Sequence, residues 1–162
     1  MEVVATTFPL LHQLFTTCLQ FDSVEAALIL KAISKIYFAI VQYSLPKELR
    51  ATGNFVPWLQ VFLQLVDKPT PPMPANTDPE LRHKFPWWQA KKWAYHILNR
   101  MFIRYGNPAL TDKEYKKFAK EFLANYAPQI LQAYLKQLDL ARSGAYMSPR
   151  VLQLNLLFLT DA

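Results

Sequence analysis

Three histidines, one cysteine and a row of cations are the side chains in these 162 residues whose types could do chemistry. His12, His83 and His96 fall on separate segments, and none stands at the Cys/His spacing of a zinc site. Cys18 has no base near it in sequence and lies in the apolar stretch from Leu10 to Phe21, where a small thiol reads as a core residue. A single cysteine forms no intramolecular disulfide, which favours a reducing compartment. Gly53, Gly106 and Gly144 are too scattered to cradle a phosphate. The expectation is a binding protein and not an enzyme, with no metal and no cofactor.

Binding chemistry is better represented. Lys92, His96, Arg100 and Arg104 recur at i, i+4, i+8 and i+12, the spacing that lines one side of a helix, and they are candidates for contact with an acidic partner. The bland alternative is a solvated helix face. Trp87 and Trp88, with Trp93 close behind, could form an aromatic surface for nucleotide bases or for a protein partner, although large aromatics more often anchor a helix in the core. Between Arg82 and Lys120 ten lysines and arginines are opposed by Asp112 and Glu114 alone, so a basic nucleic-acid-binding or general scaffold module stays open as a second reading.

Positioning these residues requires helices. No alternating strand pattern competes, and start and stop signals mark six helical segments. The first spans about 8–20, with Pro9 in its opening turn. The second spans about 23–43, opened by Asp22 and Glu25 at capping-box spacing and ended by Pro46. The third covers about 55–66. The fourth, about 86–105, carries the ladder and stops at Gly106. The fifth, about 111–143, opens on Thr111 and Glu114 and should kink near Pro128. The sixth starts at Ser148 and Pro149 as N-cap and first-turn proline. Half of the 12 prolines lie between Pro69 and Pro86, which predicts an irregular excursion over 68–85.

Taken two at a time, the segments form three units, 8–43, 55–105 and 111–162, of about 40 to 60 residues, near the length of HEAT-type helix pairs. The fold expected is all-α, a HEAT-repeat-like solenoid of about three stacked antiparallel helix pairs, with a compact bundle as the structural alternative. The apolar end at Ala162, with neither glycine nor polar tail, reads as the middle of a longer protein. Isolated helix pairs leave apolar end faces, so the chain is also expected to self-associate. The start of the sequence carries no signal-peptide pattern, and the apolar segments are interrupted by Lys31, Lys35, Gln153 and Asn155, which argues against membrane insertion.

Three stretches carry a resemblance. PWWQAKKWAYHILNRMFIRYG, from Pro86 to Gly106, is similar to a segment of the importin-β-type karyopherins related to importin seven and importin eight. KIYFAIVQYSLP, from Lys35 to Pro46, and YMSPRVLQ, from Tyr146 to Gln153, resemble flanking segments in the same order. The resemblance implies a HEAT superhelix that carries protein cargo through the nuclear pore, shuttling between cytoplasm and nucleus. It implies Ran-GTP as regulator, nuclear pore proteins as partners and cargoes that include ribosomal proteins and histones. Those cargoes are basic, so a chain of net charge +6 is a poor candidate for their main site.

Overall fold

The computed structural model describes residues 2–42, 46–111 and 113–161, and every regular element among them is helical. The helices are α1 (Glu2–Cys18), α2 (Val24–Val41), α3 (Lys47–Arg50), α4 (Thr52–Asp67), α5 (Pro86–Tyr105), α6 (Lys116–Glu121), α7 (Ala127–Arg142) and α8 (Pro149–Asp161). A π-helical turn, Phe122–Tyr126, joins α6 to α7 without a break.

Long helices pair as α1 with α2, α4 with α5 and α7 with α8. The first members of the pairs, α1, α4 and α7, lie side by side in one layer, and the second members, α2, α5 and α8, form the other. This is the expected all-α, HEAT-like stack, and α5 stands at its centre against α2, α4 and α8. Apolar periodicity drives the arrangement: Leu30, Ile33, Tyr37 and Val41 on α2, and Ala90, Ala94, Ile97, Leu98 and Met101 on α5, turn a continuous stripe into the core. Between the first two pairs the filling is aromatic, with Tyr37 against Trp58 at 5.1 Å and against Phe62 at 4.9 Å.

Several local details differ from the sequence expectation. The first helix begins at Glu2, so Pro9 lies in its interior. The cap of α2 is Ser23, whose hydroxyl accepts from the Ala26 amide, because Asp22 is engaged instead by the Lys68 ammonium at 2.9 Å. Thr111 caps nothing; its hydroxyl donates to the Asn107 and Arg104 carbonyls, and a 3-10 turn at Lys113–Tyr115 precedes α6. The proposed end of the second helix at Tyr43 lies outside the described residues. Over 68–85 no α-helix forms, and one 3-10 segment, Pro79–Lys84, interrupts the excursion. The kink near Pro128 is resolved by the π turn, where the Ala127 amide reaches back to the Phe122 carbonyl.

Candidate partner-binding face

The N-terminal turns of α5 separate structural from accessible cations. Lys91 points inward: its ammonium donates to the carbonyls of Val66, at 3.3 Å, and of Lys68, closing the C-terminal end of α4. Burial lowers its pKa to about 7, and the neighbouring Lys68 adds to the effect while Asp67 opposes it. Lys92, one residue and about 100° further round the helix, lies half-buried in the α2–α5–α8 layer. Burial comes first in lowering its pKa, followed by the fields of Lys31, Arg150 and Lys35.

The tryptophans divide in the same way. Trp87 is fully enclosed, and its indole N–H donates to the Asp22 carbonyl at 3.3 Å. Trp88 is buried edge-on to Tyr146 at 5.5 Å. The pair therefore forms no aromatic surface; large apolar area outweighs any gain from exposure, and both rings pin the start of α5 to its neighbours. Trp93 is the half-buried one, yet its surroundings are filled: Phe38 meets it edge-on at 5.5 Å, and the ammonium groups of Lys35 and Lys92 sit 5.6 and 5.8 Å from its centroid.

The ladder is not one stripe. Four residues turn a helix through about 400°, so each step drifts by roughly 40° and the four positions fan out over a third of the circumference. His96 lies half-buried against Phe38 and Trp93, at 6.2 and 5.3 Å. Burial, then Arg150 and Lys92, bring its pKa down to about 4, so the imidazole is neutral at ordinary pH. Arg100 Nε donates to the Gln42 carbonyl at 2.6 Å and so closes the C-terminal end of α2. Arg104 is exposed at the far end. What the fold brings together around Lys92 is a different set: Lys31 and Lys35 from α2 and Arg150 from α8. The sequence held a signal for part of it, since Lys31 and Lys35 are four apart on an otherwise apolar helix, but Arg150 joins them only through tertiary packing.

Behind this face, polar side chains lock the second pair to the third. Asn99 Nδ2 donates to the Leu154 carbonyl at 2.8 Å, and Asn99 Oδ1 accepts from the Tyr134 hydroxyl at 2.7 Å. Asn155 Nδ2 donates to the Tyr95 hydroxyl at 3.3 Å and to the Tyr134 carbonyl at 3.1 Å. No histidine joins another: His12 sits against the Pro57 carbonyl, His83 is exposed, and among the described residues no group of His, Cys, Asp or Glu could hold a metal ion. No described helix is long and apolar enough to cross a membrane.

No family model and no solved structure matches the chain. Curated proteins do. The chain is 38% identical over 163 residues to the importin beta-like SAD2 homolog of Arabidopsis thaliana, an alignment that takes in 99% of the chain and 16% of the relative. Identity to human importin-8 is 40% over 145 residues, 90% of the chain and 14% of the relative. The nonsense-mediated mRNA decay protein 5 of Saccharomyces cerevisiae is 31% identical over 85% of the chain. The chain thus spans about one-seventh of the length of the curated relatives it matches. Near-complete alignment at this identity, on an all-helical stack of paired helices, places the chain in the importin-β-type karyopherin family, in the importin-7/8 branch.

Proposed function

We propose that the chain is one stretch of the helical solenoid of a nuclear import receptor, which binds protein cargo, is regulated by Ran-GTP, contacts nuclear pore proteins and shuttles between cytoplasm and nucleus. On this reading 8–43, 55–105 and 111–162 are three successive repeat units of a longer superhelix. The observation that carries it is the alignment of nearly the whole chain with importins. The packing agrees with it. Leu10 and Leu14 on α1, Leu28, Ile29 and Ile36 on α2, and Leu152 and Leu156 on α8 are exposed, as expected of surfaces that further helix pairs cover.

In a HEAT stack the second helices of the pairs line the concave surface, so α2, α5 and α8 are the elements that meet partners. Lys92, His96, Arg100 and Arg104 all belong to that layer, with Lys92 and Arg104 supplying reachable charge, His96 remaining neutral and Arg100 supporting the end of α2. An acidic partner surface suits this chemistry, while basic cargoes such as ribosomal proteins and histones are left to other parts of the receptor. The nucleic-acid reading keeps its basic run but loses its aromatic platform, because Trp87 and Trp88 are enclosed and offer no face on which bases could stack.

The test is binding of Ran-GTP and of cargo by the full-length receptor, wild type and K92E/R104E. Reversing the half-buried Lys92 and the exposed Arg104 should slow association and flatten its salt dependence while leaving circular dichroism unchanged. A receptor that ignores Ran-GTP altogether rules out the transport reading, and one whose association rates are untouched by the double variant removes this face from it.

A further inference from the structure

Some cations that pack against a neighbouring element find a carboxylate, and others close a helix end on backbone carbonyls, as Lys91 and Arg100 do. Lys68 pairs with Asp22, Lys136 with Asp67, and Arg50 lies 3.8 Å from Glu114. Lys31, Lys35, Lys92 and Arg150 do neither, and Arg150 donates to the Gln153 side chain on its own helix. They come from three successive helices of one layer, and among the described residues none of them has a carboxylate within ion-pair distance. Their mutual repulsion is felt within the protein, since the fields of Lys31, Arg150 and Lys35 all disfavour the charged form of Lys92.

Beside this cluster, a cavity of about 300 Å³ opens between the first turns of α5 and α8, lined by Lys92, Arg150, Gln89, His83 and Ser148. The first turn of α8 adds the positive end of its peptide dipoles. Beyond the cavity mouth, the Lys35 and Lys92 ammonium groups both lie by the Trp93 indole, 5.6 and 5.8 Å from its centroid. Both ammonium groups are thereby brought to one ring, so an anion that approaches it meets two positive charges.

We infer that the cavity flanked by Lys92 and Arg150, together with Lys31 and Lys35 across Trp93, is a docking site for an extended acidic peptide segment. Alternate side chains of an extended chain point the same way about 7 Å apart. One carboxylate enters the cavity between Lys92 and Arg150, and the next in line meets Lys35 and Lys31. A nucleic acid fits less well. The cations form a compact group and not a track along a backbone, and the one partly open indole has lysine on it where a base would stack. The inference rests on the reading of the α2–α5–α8 layer as the partner face, and it adds which residues act and what chemistry they take.

The test titrates the chain with a fluorescently labelled oligoglutamate peptide, in the absence of Ran or cargo, and reads anisotropy at low and at physiological salt. Failure here overturns the docking site alone and leaves the transport reading to its own assay. Expected is saturable binding that weakens with salt, with a loss on the order of tenfold in K31E/K35E and in R150E. K116E/K117E removes the same charge as K31E/K35E from exposed positions on α6 and should bind like wild type. Circular dichroism checks that each variant is folded. No binding by wild type overturns the inference. An equal loss in K116E/K117E does so too, by reducing the effect to net charge, and so does an oligoribonucleotide that binds more tightly than the peptide and is lost in K31E/K35E.

Discussion

His96 illustrates how position decides what a side chain can do. By type it is a switch; by location it is a neutral ring wedged against Phe38 and Trp93, facing Lys92 and Arg100 on its own helix, Lys35 across the indole and Arg150 on α8. With a folded-state pKa of about 4 against an ordinary 6.5, the unfolded chain takes up a proton between those values that the folded chain refuses. Stability from this site is complete above pH 6.5 and is lost as pH falls towards 4. The melting temperature of the wild type should therefore fall more steeply than that of H96Q across this window and run parallel to it above. Parallel curves throughout would show that the ring is not held neutral. The sequence made the i, i+4 spacing legible, since it is a property of one helix. It could not reveal that Lys91 and Lys92 part company, or that Arg100 serves the end of α2, because both outcomes depend on where α4 and α2 terminate in space.

Helix boundaries were legible where the signal is local and chemical. Pro86 opens α5, Gly106 follows its last residue, and Ser148 with Pro149 starts α8, the serine hydroxyl accepting from the Val151 amide at 3.2 Å. Ser148 is buried, so its loss cannot be made good by solvent. S148A should cost about 1 kcal/mol in denaturant unfolding, whereas T111A, whose exposed hydroxyl donates to carbonyls already reachable by water, should stay within about 0.5 kcal/mol. Equal effects would mean that the cap on α8 contributes nothing beyond local polarity. The misread starts have physical causes. Asp22 was available as a cap by type but is taken by Lys68, the residue just after α4, a contact 46 residues away. The π turn escaped because nothing in its composition announces it. Phe118, Phe122, Tyr126, Ile130 and Tyr134 recur strictly every four residues, too slow a period for a straight α-helix, and the wider turn at Phe122–Tyr126 keeps that row facing the core.

At the scale of the whole chain, the two-layer stack was legible because six apolar stripes, most of them joined by short connections, leave few ways to bury them. The stack leaves apolar residues at both ends, among them Leu10 with two-thirds of its surface exposed. The isolated chain is expected to associate with rising concentration, and L152E/L156E should shift its sedimentation towards monomer. A strict monomer at high concentration would remove the argument for covered ends. Both joints combine rings with polar ties, and at the first Lys68 and Trp87 reach Asp22 while Arg100 reaches the Gln42 carbonyl. Aromatic rings fill the first, and ring contacts persist through small displacements because apolar attraction has little direction. The second is indexed by Asn99 and Asn155, whose amides reach buried partners on α5, α7 and α8. Sliding α8 by one turn along α5 would strand both amides in a dry interior, each at a cost of about 1 to 3 kcal/mol. Mechanically, then, the second junction works as a keyed joint, in which α8 can rock against α5 only as far as Asn99 and Asn155 keep their partners.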